Sequence, residues 1–339
     1  TSLNKYFEAM NAQGKGLEQH EILKVQLMRG EKEQDYLTHI WNLTSMMDHP
    51  IIAKEEDQDE ACYRQFYEEA ISLCRQKRFH EVLEKCRYTS LDDEEEYSID
   101  VIQPEKIEFK QNSYEDGENS IISFPEFLLL VLDVCPGGEQ PASHYQPDKL
   151  IEKFDALKTY FTAGEFYEKM LYYRLLLDYY TIRRDIKDGQ GNYSLILKGP
   201  KDDSDKLKQY QSMLYVSTEA FYNWLKPYLR KLEQDELHSC AEMLAFLKKE
   251  DNERHSILPA RKDLSYKASG NIRYWFWRLD YYLWEQRSTF FNEEEQKIVE
   301  HYVFRRNRSI EHLHPQDESH NEEWEEEAVH SFGNLAMIS

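Results

Sequence analysis

The chain of 339 residues is long enough for two or three packed domains, which excludes a small scaffold held together by disulfides. Its 64 Asp and Glu outnumber its 42 Lys and Arg and give a net charge of -22, so any contact with nucleic acid must come from a local basic patch. The 24 Tyr, 16 Phe and 6 Trp supply large apolar side chains, so we expect the chain to fold despite a mean hydropathy of -0.80.

Apolar side chains recur at three- and four-residue spacing over residues 17–28, 36–47 and 61–74, which predicts three amphipathic helices. Residues 97–109 alternate loosely and hold several β-branched side chains, which predicts one or two strands or an extended loop. A buried helix is predicted over residues 125–134, where the sequence C-P-G-G ends it.

The helical pattern continues through the rest of the chain. Two or three helices are predicted over residues 148–185 and a short strand over 193–198. Further helices are predicted over 207–232 and 236–249, and a very aromatic helix over 266–291. The chain is therefore predicted to be mainly α.

The five cysteines are widely spaced and form no C-x-x-C pair. Neither a disulfide framework nor a cysteine zinc site is indicated, and a reducing, cytoplasmic setting fits best. The longest apolar run is much shorter than the roughly 20 residues that span a bilayer, so we expect no contact with a membrane.

Near the C-terminus, a carboxylate and an imidazole stand side by side at Glu311 and His312, and Asn334 follows where a second strand is predicted. A one-metal nuclease needs this arrangement. The carboxylate holds a hard divalent cation, the neutral imidazole takes a proton from the attacking water, and the Asn amide orients the imidazole. On spacing alone the pattern is weak, because most Glu-His pairs are surface residues or structural hydrogen bonds.

Residues 309–339 closely resemble the C-terminal domain of the GmrSD-type, modification-dependent restriction endonucleases. The HNH (ββα-metal) nuclease motif of that family reads I-E-H-h-x-P-Q, then Trp, then H-x-h-G-N-L. The aromatic helix also looks like the Arg-bearing helix that precedes the motif in the family. The chain supplies the motif residues in the same order: Ile310, Glu311, His312, Pro315, Gln316, Trp324, His330, Gly333, Asn334 and Leu335.

Residues 7–17 and 21–24 are similar to the F-x-x-h-N-x-x-G-x-x-L…E-h-L-K segment that closes the family's ParB-like nucleotide-hydrolysing domain. This similarity identifies Asn11, Gly14 and Lys24 as motif residues. The alternative roles are structural: Gly14 also fits a tight turn, and Lys24 also fits a solvated position. The family's D-G-Q-Q-R signature has no counterpart here. A nucleoside triphosphate is therefore expected to act only in the full-length protein.

The resemblance divides the chain into three parts. Residues 1–55 would be the C-terminal part of a ParB-like nucleotide-hydrolysing domain, 56–232 a helical middle region, and 233–339 an HNH-type nuclease domain. The implied fold is mainly α, a multi-helix body with a small C-terminal ββα-metal (HNH-like) element. The motif's last metal ligand would lie on a helix beyond Ser339, so the element is expected to be truncated and the chain catalytically inactive.

The resemblance implies a metal-dependent DNA endonuclease of the HNH type that uses Mg²⁺ or Mn²⁺. It would serve a nucleotide-regulated prokaryotic restriction or anti-phage defence system, and its partner would be DNA, including modified or phage DNA. A single HNH site cuts one strand, so double-strand cleavage would indicate a homodimer or sequential nicking. The rival hypothesis is a helical interaction or regulatory module with a catalytically silent HNH fold.

Arg305, Arg306 and Arg308 lie just before the motif in an extended basic segment over residues 302–308. Three arginines beside a hydrolytic site would attract the scissile phosphate, and the alternative is ordinary salt bridging to nearby glutamates. His314 stands where the family usually has an apolar residue. Because His312 and His314 point to the same side of an extended strand, a two-histidine metal site is an alternative to a solvent-facing His314.

Overall fold

A computed structural model of the chain describes residues 18–52, 59–87, 117–138, 146–187, 193–202, 204–217, 221–268, 271–305, 309–314 and 324–338. These residues are mainly helical, as predicted, and the strands form small antiparallel sheets. The chain divides into two compact units, Thr1–Pro200 with Leu229–Glu236, and Lys201–Tyr228 with Leu237–Ser339. No helix of the described residues is long and apolar enough to cross a membrane.

The first unit is built around one long buried helix that packs against three other helices of the unit. Beside these helices lies a three-stranded antiparallel sheet in the order β1-β2-β3. The elements of this unit are α1 (Gln19–Met28), α2 (Gln34–Ser45), α3 (Glu60–Arg75), α4 (Phe79–Arg87), β1 (Gly117–Ser120), α5 (Phe124–Val134), α6 (Leu150–Leu157), α7 (Ala163–Tyr180), β2 (Arg183–Ile186) and β3 (Tyr193–Ile196). The long buried helix is α7, and its partners are α2, α3 and α5.

The buried helix predicted over residues 125–134 is confirmed as α5. Ser123 and Glu126 form a capping box, in which the backbone N–H of Ser123 donates to the Glu126 carboxylate at 2.7 Å. The chain leaves the helix through Gly137, whose φ of 79° lies in the left-handed region that favours glycine.

The core of the first unit contains a network of buried charges. Asp178 on α7 accepts hydrogen bonds from Arg174 and Arg183, and all three side chains are buried. Arg174 also donates to the backbone carbonyls of Thr44 and Met46, both at 2.9 Å. Because these bonds tie the segment after α2 into the core, residues 18–52 belong to the same unit as α7. The predicted division into family domains at residues 55 and 232 stays a prediction.

The second unit packs its helices around α8 (Ser204–Val216), which contacts α10 and α11. Its other elements are α9 (Tyr222–Glu233, counted with the first unit from Leu229 onward), α10 (Cys240–Arg254), α11 (Ile272–Glu285), α12 (Arg287–Phe290), α13 (Glu293–Glu300), β4 (Ser309–His312), α14 (Glu326–Val329) and β5 (Leu335–Ile338). Asp251 on α10 is fully buried and accepts hydrogen bonds from Tyr210 of α8 at 2.7 Å and Tyr274 of α11 at 3.0 Å. One carboxylate thus joins three helices.

Two element predictions need comment. The helical stretch predicted over residues 148–185 is wrong at its end. Residues 183–185 belong to β2, the central strand of the sheet, because β1 and β3 pair with its two edges. The short polar sequence R-R-D-I carries no strand pattern, so tertiary pairing decides the structure here. The extended stretch predicted over residues 97–109 lies outside the described residues.

Candidate active site

The candidate site is a two-stranded antiparallel hairpin formed by β4 and β5. In its register His312 pairs with Leu335 and Glu311 with Ala336. Two strands of four residues bury little surface by themselves, so the hairpin needs a supporting surface. Ile272 and Phe276 of α11 supply it, together with Leu335, and the half-buried side chains of Ile310, Phe332 and Met337 pack against this cluster.

The two predicted site residues on β4 lie on opposite faces of the strand. Glu311 is exposed, whereas His312 is half-buried on the face that also carries Leu335. Successive side chains of a strand alternate between the two faces of its sheet. A bound phosphate could therefore reach both groups only at the edge of β4, where the two faces meet.

His312 is held by a second histidine. Its Nε2 lies 3.1 Å from Nδ1 of His330, which is itself buried at the end of α14. Tyr266 packs against both rings, edge-on to His312 at 4.6 Å and parallel to His330 at 6.1 Å between centroids. The backbone N–H of Tyr266 also donates to the carbonyl of His330 at 2.9 Å, which fixes this arrangement.

Burial and the neighbouring His330 lower the pKa of His312 below the usual value of 6.5, although the charge of Glu311 opposes the shift. Burial acts because it penalises the charged imidazolium, and His330 acts through like-charge repulsion. His312 is therefore neutral at pH 7. A neutral imidazole has a lone pair with which to accept a proton.

Asn334 lies on the turn before β5, and its side chain is engaged with backbone groups. Its Oδ1 accepts from the N–H of His314 at 2.8 Å, and its Nδ2 donates to the carbonyls of His314 at 3.3 Å and Val329 at 2.7 Å. These three bonds join the amide to backbone groups, and its role in orienting His312 stays a prediction. Asn334 shapes the turn that follows β4, and the side chains of His330 and Tyr266 contact His312.

The two histidines of the proposed two-histidine metal site have different neighbours. The ring of His314 stacks on Trp324 at 4.3 Å and 17°, whereas His312 contacts His330 and Tyr266. In the described part of the chain, no group of three or more His, Cys, Asp or Glu lies close enough to hold a metal ion. Glu311 is one candidate ligand for a divalent cation, but the described His, Cys, Asp and Glu side chains do not form a complete metal site around it.

The remaining predicted residues either have no contact with this cluster among those described above or lie outside the described chain. Arg305 is exposed at the end of the segment that follows α13, while Arg306 and Arg308 fall outside the described residues, as do Asn11 and Gly14. Lys24 belongs to the first unit. It donates to Asn42 at 3.3 Å and lies 5.8 Å from the Trp41 ring, and burial lowers its pKa.

Sequence reasoning missed two residues of this cluster. His330 was recognised only as a motif position, although the H-x-x-G-N-L spacing places it one short turn before β5, where it can contact β4. Tyr266 carries no signal, because it lies far from the motif in sequence and reaches the histidines only through folding. A sequence motif identifies residues that are close along the chain, whereas Tyr266 is distant in sequence from the two histidines that it contacts.

Residues 249–339 match the family model described as the C-terminal domain of GmrSD restriction endonucleases. The match contains the hairpin, the histidine pair and the whole supporting helix α11, and it lies within the predicted domain 233–339. No curated protein and no solved structure matches the chain. The C-terminal part of the chain is therefore similar to a domain of restriction endonucleases, enzymes that cut DNA.

Proposed function

We propose that the chain is a metal-dependent DNA endonuclease of the HNH type and that the hairpin of β4 and β5 carries its active site. The observation that carries the proposal is the half-buried, neutral His312 beside Glu311, held by His330 within the part of the chain that is similar to restriction endonucleases. A half-buried neutral imidazole next to an exposed carboxylate is a suitable base for hydrolysing a phosphodiester.

In the proposed reaction His312 takes the proton of the attacking water. When Nε2 of His312 donates to Nδ1 of His330, the lone pair of neutral His312 lies on Nδ1, which would accept this proton. His330 remains hydrogen-bonded to the protonated ring and keeps it in place. Tyr266 closes the other side of both rings and limits the positions that water can occupy there.

The divalent cation of the proposal, Mg²⁺ or Mn²⁺, would supply Lewis-acid stabilisation of the phosphate when bound. Glu311 is the described carboxylate that would contact it, because Glu311 is exposed next to His312 on β4. Hard cations take six or more oxygen ligands, so water and DNA phosphate must contribute most of them. We therefore expect weak binding of the cation in the absence of DNA.

The proposal extends to the biological setting. The C-terminal similarity to restriction endonucleases supports a role in prokaryotic restriction or anti-phage defence, with modified or phage DNA as the substrate. Residues 1–55 would then close a ParB-like domain, through which a nucleoside triphosphate would regulate cleavage in the full-length protein. A homodimer would allow both strands to be cut, since one HNH site cuts one strand.

A nicking assay tests the proposal. Supercoiled plasmid, modified and unmodified, is incubated with the full-length protein and Mg²⁺ or Mn²⁺, with and without nucleoside triphosphates, and chelator removes the cation in a parallel reaction. We expect nicking that needs the cation and disappears in His312→Ala, while His49→Ala, an exposed histidine of the first unit, behaves like the parent. If the parent nicks no DNA in any of these conditions, the result would instead support a helical interaction module with a silent HNH fold.

A further inference from the structure

The second unit contains a polar cleft of about 530 Å³ between the first turns of α8 and the residues around the end of α13. Four cationic side chains line it, Lys201, Lys206, Lys208 and Arg287, and His301 lies beside them. Two acidic residues, Asp205 and Glu300, also line it. In a protein of net charge -22, a cleft in which cations outnumber carboxylates is a local exception.

In the described part of the chain, the four cations of this basic cleft have no acidic partner. Within the described residues, no carboxylate lies within 4.0 Å of the charged nitrogens of Lys201, Lys206, Lys208 or Arg287. Other lysines of the same unit do find partners, as Lys248 does with Glu285 at 2.5 Å. Like charges gathered in a cleft repel one another, and a bound anion removes this cost. The basic cleft is thus suited to an anionic ligand.

The walls of the basic cleft are fixed by hydrogen bonds. Gln209 on α8 donates to the carbonyl of Tyr302 at 3.0 Å, and the indole of Trp284 donates to the carbonyl of Glu300 at 3.3 Å. Arg287 donates to the carbonyl of Trp284 at 3.1 Å, and its guanidinium lies 5.1 Å from the Trp284 ring centroid. The cations are therefore presented on a rigid frame, which reduces the entropy lost on binding a ligand.

The basic cleft is also close to the hairpin along the chain. His301 lines the cleft, Arg305 is exposed four residues later, and β4 begins at Ser309. Eight residues of extended chain span at most about 28 Å. Phosphates along one DNA strand are about 3.4 Å apart along the helix axis, so about eight nucleotides at most would separate the cleft from the cleavage site. One DNA molecule can therefore occupy both.

We infer that the basic cleft binds the phosphodiester backbone of the DNA substrate, beside the strand that is cut at the hairpin. The identity of the ligand as DNA rests on the proposed function. Lysines contact phosphate as point charges without reading the bases, so this site contributes affinity and orientation for every sequence alike. The same cleft chemistry would also accept the phosphates of a free nucleotide, and the experiment below separates the two sources.

The experiment measures DNA binding by fluorescence anisotropy in chelator, where no cleavage occurs, from about 0.05 to 0.3 M salt. The test variant replaces Lys201, Lys206 and Lys208 by Gln. Each phosphate contact contributes about 0.9 to the slope of log affinity against log salt, so we expect the slope to fall by about 2–3 and the affinity near 0.1 M salt by at least about tenfold. The loss should be equal for duplexes of unrelated sequence.

Two controls accompany the triple variant. Lys249→Gln removes one charge from an exposed lysine of α10 outside the cleft and should leave the slope unchanged. Arg305→Glu should weaken binding additively with the triple variant, since both would contact the same DNA. Thermal unfolding checks that each variant is folded, which we expect because the three lysines are exposed or half-buried and have no carboxylate partner within 4.0 Å among the described residues.

The outcomes separate the inference from the proposed function. Equal affinity and slope for the parent and the triple variant, or no DNA binding by the parent, would overturn the inference. Loss of binding to a fluorescent nucleoside triphosphate with unchanged DNA binding would overturn it in favour of a nucleotide site. If the parent binds DNA through the cleft but nicks none with Mg²⁺ or Mn²⁺, the proposed function fails and the inference stands.

Discussion

Replacing Asn334 by Ala should loosen the hairpin turn that positions His312. The side chain of Asn334 is buried and makes three hydrogen bonds to the backbone of His314 and Val329. Each such bond contributes about 0.5–1.5 kcal/mol net, and alanine leaves the backbone partners unsatisfied. We expect a local loss of about 2–4 kcal/mol, which shifts the balance between closed and open hairpin by about a hundredfold.

Hydrogen–deuterium exchange measured by mass spectrometry reports this local opening. In Asn334→Ala, amides of β4, β5 and the intervening turn should exchange about a hundredfold faster, while those of α7 in the first unit stay unchanged. Asn334→Asp is the informative companion, because it keeps the acceptor for the N–H of His314 but places a carboxylate beside two carbonyl oxygens. If β4 and β5 keep parental protection in Asn334→Ala, Asn334 does not hold the turn and the argument from its hydrogen bonds is wrong.

Three further outcomes are expected. His312→Ala should lower the nicking rate by about 10²–10⁴-fold and leave the DNA dissociation constant within about twofold, because a general base contributes to the rate rather than to binding; equal rates would remove His312 from the mechanism. Glu311→Ala should also lose nicking, measured across a Mn²⁺ titration, and high Mn²⁺ should recover part of it if Glu311 acts through the cation. Asp251→Asn should lower the free energy of unfolding by about 3–5 kcal/mol near pH 7, as measured by urea denaturation, because it leaves buried partners without their carboxylate. Burial raises the pKa of Asp251, but the hydrogen bonds from its partners outweigh it and lower the pKa overall, so the carboxylate stabilises the fold above pH of about 4. The difference between parent and variant should therefore shrink progressively as the pH falls below that range, and a difference that stays at its pH 7 value down to the lowest pH at which the parent remains folded would contradict the assignment.

The helices and the hairpin were predictable from the sequence because their signals are local. The apolar run and the C-P-G-G sequence after it predict α5 within one residue of its bounds, and the motif from Ile310 to Leu335 identifies both strands of the hairpin. The strand β2 was not predictable in this way. Its sequence R-R-D-I is polar, and it becomes a strand only because β1 and β3 pair with its two edges.

The burial of charged side chains was equally unpredictable from the sequence. Nothing in the sequence marks Arg174, Asp178 or Asp251 as core residues, since charged side chains at helical spacing are usually solvated. They are buried because partners from distant segments satisfy them, such as the carbonyl of Thr44 for Arg174 and the hydroxyl of Tyr210 for Asp251. The contact between His312 and His330 has the same origin. Folding brings the ring of His330, which is not part of the Glu311-His312 pair, against the ring of His312.

Helix α11 has two buried faces, and this limits how the part of the chain that is similar to restriction endonucleases can be excised for separate study. One face supports the hairpin through Ile272 and Phe276, and another places Tyr274 on Asp251 of α10. A fragment that begins at residue 249, where the family match begins, would divide α10 and omit α8, which packs against α11. The smallest fragment expected to fold therefore begins near residue 201 and retains residues that the family match does not include.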